Sequence, residues 1–107
     1  MTTFNSREEG FESQFAHDEE LRFKAEARRA RLLGLWAAEK LGKTGVEAEA
    51  YANALVEAAV VRHGEAQLLA RVHADFAAAG VDQSDHRIER TMHELLARAV
   101  AEIKAGI

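Results

Sequence analysis

The chain has 107 residues, of which 48% are hydrophobic and 30% charged, as is typical of one small globular domain. It has no cysteine, which excludes disulfide bonds and thiolate chemistry, and no run of ~20 apolar residues that could span a membrane. A net charge of −4 and a pI near 5.7 argue against a nucleic-acid-binding protein. Because the first residues do not follow the basic-then-apolar signal-peptide pattern, we expect a cytoplasmic location.

The charge is arranged in blocks along the chain. Residues 1–20 carry six acidic side chains and one basic side chain, whereas residues 22–43 carry seven basic and two acidic ones. Residues 44–107 carry ten acidic and six basic side chains. The blocks could attract each other or face partners of opposite charge, or they could simply be solvated helix surfaces.

Residues 1–17 are predicted to form an N-terminal arm. Phe4, Phe11 and Phe15 are spaced so that they share one face of a helix. Ser6 and Glu9 have the spacing of a capping box, which favours a helix start. A segment this short is only marginally stable as an isolated helix. We therefore expect a mobile arm that becomes helical on a partner surface; alternatively, the phenylalanines pack on the chain's own helices.

The longest predicted helix runs from Asp18 to Leu41 and carries two apolar strips, which indicates either that it is covered on two sides or that it is covered on one side and offers the other to a partner. The first strip predicts that Leu32 and Trp36 lie in the core. The second strip contains small residues that would allow another backbone to come close. The first strip consists of Leu21, Ala25, Leu32, Leu35 and Trp36, and the second of Phe23, Ala27, Ala30, Gly34, Ala37 and Leu41.

Three further helices are predicted, at about 46–62, 65–79 and 86–105. Gly42, Gly64 and Gly80 mark helix ends, and Thr44 is a predicted N-cap. Short connections that contain glycine favour antiparallel neighbours. The sequence thus predicts an all-α, up-and-down four-helix bundle over residues 18–107, preceded by a mobile N-terminal arm over residues 1–17. Its core is expected to include Leu55 and Val56, Leu68, Leu69, Val72 and Phe76, and Ile88, Met92, Leu95, Leu96, Ala99 and Ile103.

The sequence shows no pattern of catalytic or metal-binding residues. The five histidines do not include a pair at the four-residue spacing of a helical metal site. Gly42-Lys43-Thr44 resembles the end of a phosphate-binding loop, but the required earlier glycine is replaced by Ala37. The basic run Arg28, Arg29 and Arg31 could attract phosphate. We expect neither an enzyme nor a metal protein.

A long contiguous stretch resembles a known family. The stretch FAHDEELRFKAEARRARLLGLWAAEKLGKTG, residues 15–45, contains FAHD, FKAEARR, RLLG, a tryptophan and the turn LGKTG. This sequence, together with the N-terminal MTTFNSRE, resembles the zeta subunit of the ATP synthase of alphaproteobacteria. Members of that family inhibit ATP hydrolysis by the catalytic F1 head of the synthase.

The resemblance implies an inhibitor that inserts its N-terminal arm at a catalytic alpha/beta interface of F1. The partners would be the alpha and beta subunits and the central gamma subunit, with the protein peripheral at the inner membrane when bound. No cofactor is required, although the family implies weak adenine nucleotide binding at a site that we do not assign. The implied contact residues are Phe4, Asn5, Ser6, Arg7, Glu8, Glu9, Phe11 and Phe15.

Two alternatives and one hypothesis remain at this stage. The chain could be a nucleotide-sensing helical regulatory domain, which an ATP titration of amide chemical shifts would reveal. It could also be a helical adaptor for an unrelated partner. We further hypothesise that His17, which lies beside Asp18, Glu19 and Glu20, is a pH-sensitive junction between arm and bundle. A plain polar residue at the helix start is the simpler interpretation of His17.

Overall fold

The computed structural model describes residues 19–61 and 64–107. These residues form four α-helices and no strand. The all-α, four-helix prediction is thereby confirmed. The helices are α1 (Glu19–Lys40), α2 (Gly45–Ala59), α3 (Gly64–Ala79) and α4 (Asp85–Lys104).

The packing order around the bundle follows the order of the helices in the chain. Each helix packs against the next one, and α1 also packs against α4. This is the arrangement of an up-and-down bundle. It also explains the two apolar strips of α1, because this helix contacts both α2 and α4.

All four helices contribute side chains to the core. The large side chains that are fully buried are Leu33 of α1, Leu55 of α2, Leu68, Val72 and Phe76 of α3, and Ile88, Met92 and Val100 of α4. Burying one such side chain stabilises the fold by about 1.5–3 kcal/mol. A second, smaller cluster joins Ala25 to Val100, with Leu21, Leu96 and Ile103 packed around it. The core therefore extends toward the start of α1 and the end of α4.

In the first predicted strip of α1, the position of the buried leucine was wrong by one residue. Leu33, which was in neither predicted strip, is fully buried, whereas Leu32 and Trp36 are only partly buried. Trp36 still packs against the core, with its ring 5.7 Å from that of Phe76 in an edge-to-face arrangement. The small residues Ala30, Gly34 and Ala37 face the neighbouring helices directly, and this places the bulky Leu32 and Trp36 at the margin.

The small-residue strip does allow a close helix contact. A Cβ atom added at Gly34 would lie 2.5 Å from the Cα of Ala52. Real Cβ atoms essentially never approach another atom so closely. Gly34 thus sits where α1 and α2 cross with their backbones nearly touching, as the sequence predicted.

The helix ends agree with the predicted turn residues, with two differences. Gly42 and Gly80 have φ angles of 76° and 72°, the left-handed conformation that glycine adopts at helix ends. Thr44 is the N-cap of α2, but its side chain makes no capping hydrogen bond. α2 ends at Ala59, three residues before the predicted end, and Val60 and Val61 are about half exposed. β-branched residues that bury little surface give little support to another helical turn.

Candidate functional site

The sequence-predicted contact residues lie outside the described part of the chain. The described residues begin at Glu19, two positions after the predicted arm ends at residue 17. The surface that can be described is therefore the part of the bundle next to the arm. The residues outside it are Phe4, Asn5, Ser6, Arg7, Glu8, Glu9, Phe11, Phe15 and His17.

A groove of about 530 Å³ lies between the first turns of α1 and the end of α4. Phe23 is 57% exposed there, and Ile107 is 77% exposed. Phe23 is therefore mostly exposed, unlike Ala30, Gly34 and Ala37 of the same predicted strip. The Phe23 ring lies on this exposed surface, because α4 packs against a different face of α1, the one that carries Ala25. The lining residues are Phe23, Lys24, Ala27, Arg28, Ile103, Gly106 and Ile107.

Ion pairs tie α1 to α4 beside the groove. Arg28 Nη1 lies 3.5 Å from Glu102 Oε1, and Arg98 Nε lies 2.8 Å from Glu102 Oε2. Glu102 therefore accepts from two guanidinium groups, one on each helix. The contact with Arg98 is the shorter of the two. One turn earlier, Lys24 pairs with Glu20 at 3.0 Å on the exposed surface.

The basic run of α1 does not form a single phosphate-attracting patch. Arg28 faces α4, as described above, whereas Arg31 pairs with Glu49 of α2 at 2.9 Å. Arg29 is buried, with 3% of its side chain exposed. Three arginines within four positions of one helix point in different directions, because successive helical residues are rotated by about 100°. The structure thus corrects the prediction of a shared anion-attracting surface.

Arg29 is the most unusual charged residue in the described core. Its Nη2 lies 3.8 Å from Glu65 Oε2, while Nε and Nη1 have no hydrogen-bond partner among residues 19–61 and 64–107. Arg29 lies one turn after Ala25 and one turn before Leu33, so it separates the small cluster from the main core along α1. The four-residue spacing from Ala25 and to Leu33 is consistent with a buried position for Arg29. The charge of its guanidinium group favours an exposed position instead.

A polar network joins α2 to α3. Tyr51 donates a hydrogen bond from its hydroxyl to Asp75 Oδ2 over 2.7 Å, and Arg71 Nε donates to the same oxygen over 2.8 Å. The Arg71 guanidinium also lies 5.5 Å from the centre of the Tyr51 ring. Burial, followed by the hydrogen bond to Asp75, raises the pKa of Tyr51 well above its ordinary value. These contacts stabilise the bundle.

Two of the described histidines, His73 and His93, make surface contacts. His73 Nδ1 lies 2.6 Å from Asp85 Oδ1, and His93 Nε2 lies 4.0 Å from Glu65 Oε1. Across residues 19–61 and 64–107, no group of three or more His, Cys, Asp or Glu residues could hold a metal ion. Within the same residues, none of the helices has the length and apolar character needed to cross a membrane.

Comparison with protein families identifies the chain. The family described as ATPase inhibitor subunit zeta matches residues 1–102. The chain belongs to the zeta family. The match starts at the first residue, so it includes the predicted arm as well as most of the four helices. Comparison with curated proteins gave no match.

Membership of the zeta family confirms the resemblance on which the functional prediction depends. The family description is that of an inhibitor subunit of an ATPase, which is a regulatory role rather than a catalytic one. It implies that the chain associates with the F1 part of ATP synthase.

Sequence reasoning missed two features of this zeta-family bundle. One is the buried Arg29, and the other is the groove between α1 and α4. Part of the groove, formed by Ile103, Gly106 and Ile107, lies beyond the residues that the family match covers. A signal for the groove was present in the sequence, since Phe23 is a large aromatic residue at the start of a strip whose next four members are small.

Proposed function

We propose that this chain inhibits ATP hydrolysis by the F1 head of ATP synthase by inserting its N-terminal arm, residues 1–17, at a catalytic alpha/beta interface. The observation that carries the proposal is the zeta-family match from residue 1 onward, because it places the phenylalanine-bearing segment within the inhibitor family. The proposed partners are the alpha and beta subunits and the central gamma subunit, with the bound protein at the inner membrane surface.

The packing of the bundle supports a division of roles between arm and bundle. The four helices bury a core of their own, to which every helix contributes large apolar side chains. On this basis the domains are an inhibitory arm over residues 1–17 and a four-helix bundle over residues 18–107. The bundle would rest on the outside of the head and hold the arm at its entrance.

In the proposed mechanism the arm acts as a wedge. Phe4, Phe11 and Phe15 would be its apolar anchors, because a few buried aromatic residues usually supply most of the energy of an interface. Ser6 and Glu9 would start the helix as a capping box, and Asn5, Arg7 and Glu8 would make further polar contacts. Ordering the arm costs conformational entropy, which the new contacts must offset. A wedge at this interface would block the closing motion that hydrolysis requires.

The test is inhibition of the cognate F1 ATPase by Phe4→Ala, Phe11→Ala and Phe15→Ala variants. Each phenylalanine that becomes buried should contribute ~1–3 kcal/mol, so the half-inhibitory concentration should rise by roughly fivefold to 150-fold. Arg90→Ala is the matched control, since Arg90 is an exposed α4 residue with a weak 3.9 Å pair to Glu94. Inhibition unchanged in all three phenylalanine variants would contradict the insertion mechanism.

A further inference from the structure

The groove between α1 and α4 exposes apolar surface close to the point where the N-terminal segment joins the bundle. Phe23 and Ile107 are both more than half exposed, and Ala27 and Ile103 also line the groove. Exposed aromatic and aliphatic side chains that gather in one concave surface indicate a binding surface. The groove begins one turn after Glu19, the first described residue.

We propose that, in the protein free of F1, the N-terminal segment folds back and places Phe11 and Phe15 in this groove. The docked segment would be unable to enter the catalytic interface, so the groove would regulate the inhibitor. This inference rests on the proposed function, because it assumes that the same segment is the inhibitory one.

The length of the segment allows this placement. The groove runs along α1 from Phe23 to Arg28, that is from ~6 Å to ~14 Å beyond Glu19 at the helical rise of ~1.5 Å per residue. Phe15 lies four residues before Glu19 and Phe11 eight residues before it. An extended chain spans up to ~13 Å over four residues and ~26 Å over eight. A reversal within residues 16–18 would return Phe15 to the Phe23 end of the groove, and the four residues from Phe15 to Phe11 can then span the ~8 Å from Phe23 to Arg28.

The charges of the two surfaces are complementary. The lining of the groove contains two basic residues, Lys24 and Arg28, and no acidic residue. The segment 1–18 contains four acidic side chains and one basic side chain, and Glu12 lies between Phe11 and Phe15. A carboxylate beside two aromatic anchors therefore matches a groove that combines apolar side chains with cationic ones.

The ion pairs beside the groove permit such an exchange of partners. Arg28 contacts Glu102 at 3.5 Å, whereas Arg98 contacts the same carboxylate at 2.8 Å. If Arg28 turned toward Glu12, Glu102 would keep its closer partner on α4. The exchange would therefore leave no partly buried carboxylate unpaired.

Paramagnetic relaxation provides a direct test on the full chain. Because the protein has no cysteine, a Ser13→Cys substitution allows a single spin label between Phe11 and Phe15. We expect broadening of the Ala27 and Ile103 amide signals, with Lys40 at the other end of α1 unaffected. The broadening should be clearly weaker in a Phe11→Ala, Phe15→Ala background, where only the tether keeps the label near the groove. Equal broadening at both ends of α1, or broadening of unchanged strength in this double variant, would overturn the proposal.

A mixing control identifies the occupant. Spin-labelled protein without isotope is mixed with isotope-labelled protein that carries no spin label. Broadening of Ala27 in this mixture would show that a second copy occupies the groove, and would overturn the intramolecular proposal. An unbroadened signal is expected.

Inhibition assays test the regulatory consequence. Phe23→Ala and Ile107→Ala should lower the half-inhibitory concentration by roughly twofold to tenfold. A segment that is docked for half of the time leaves about one half of the molecules competent to inhibit, and one docked for nine tenths of the time leaves about one tenth. Val46→Ala is the control, since Val46 is 86% exposed at the start of α2. Weaker inhibition by the groove variants would show that F1 itself binds the groove, and would overturn the proposal.

The two assays separate failure of this inference from failure of the proposed function. If the label broadens the groove signals but Phe4→Ala, which removes a ring that takes no part in the docking, inhibits as wild type does, the segment docks and the insertion mechanism is wrong. If Phe4→Ala loses inhibition but no broadening is seen, the insertion mechanism stands and the docking is wrong.

Discussion

Leu32 and Leu33 are adjacent in the chain, but only Leu33 is enclosed completely by the other helices. Leu33→Ala should lower the free energy of unfolding by ~2–5 kcal/mol, because it removes buried surface and leaves a cavity. Leu32→Ala is the matched control and should cost clearly less, since the Leu32 side chain is partly exposed. Chemical denaturation of both variants measures the difference. Equal losses would contradict the observed phase of α1.

Tyr51 is the single tyrosine of the chain, so its ionisation can be followed directly by ultraviolet absorbance. Its pKa is raised above the ordinary value of ~10, first by burial and then by the hydrogen bond to Asp75. The folded protein should therefore keep the phenol protonated at a pH at which the unfolded chain has lost that proton. Absorbance of native protein should show no phenolate near pH ~10. A midpoint near that value would contradict the buried hydrogen-bonded arrangement.

The same shift predicts a change in stability at alkaline pH. The stabilising contribution of Tyr51 should be complete below pH ~10 and should fall as the pH rises above it toward the raised pKa. Tyr51→Phe keeps the ring but removes the hydroxyl, so it should be less stable at neutral pH by about 1 kcal/mol. The gap between wild type and Tyr51→Phe should narrow above pH ~10. A gap that stays constant with pH would contradict the predicted linkage.

At the scale of the elements, the contact between α1 and α2 depends on the missing side chain of Gly34. Two effects compete in Gly34→Ala. Alanine favours a helix over glycine by ~0.5–1 kcal/mol, whereas the new Cβ would lie 2.5 Å from the Cα of Ala52. Forced overpacking costs ~1–3 kcal/mol, and a backbone atom cannot move aside as a flexible side chain can. We therefore expect Gly34→Ala to destabilise the bundle.

The sign of this change is decisive. Thermal and chemical unfolding of Gly34→Ala should show a net loss of stability with the same helical content. A gain in stability would mean that the helices separate easily at this point. Ala101→Gly on the exposed side of α4 is a useful control, because it reports the helix-propensity difference where no neighbour is close.

Sequence periodicity was sufficient to predict four helices, because each has an apolar face and a glycine or polar residue near its end. It was not sufficient for the rotation of α1. Because α1 has two apolar strips, it can be rotated by one residue and still bury a similar surface. Only the close approach of Gly34 to Ala52 fixes the rotation that buries Leu33. The burial of Arg29 could not be predicted from its charge, and the position of Phe23 depends on how far α4 extends.

The early end of α2 has a related explanation. Val60 and Val61 continue the apolar pattern of the sequence, which predicted a helix to Arg62. In the structure they are 55% and 51% exposed, so they gain too little burial to sustain the helix. The helix pattern in the sequence cannot show where the neighbouring helices stop covering a face.

At the scale of the whole molecule, we propose that the four helices fold on their own and that the N-terminal segment inhibits. The helices form a core to which α1, α2, α3 and α4 all contribute. The family match from residue 1 to residue 102 assigns the whole assembly to an ATPase inhibitor family. The sequence predicted this organisation from the three phenylalanines and from the resemblance. The predicted contact residues themselves lie outside the described part of the chain.

The most direct test is to delete residues 2–17 and to measure both folding and inhibition of the cognate F1 ATPase. We expect the same helical circular dichroism with a Tm shift of only a few degrees, at ~4–8 °C per kcal/mol, together with loss of inhibition. If the truncated protein inhibits as well as the full chain, the bundle is the effector and inhibition by the N-terminal arm is wrong. If it fails to fold, the phenylalanines belong to the core, and the division into arm and bundle is wrong.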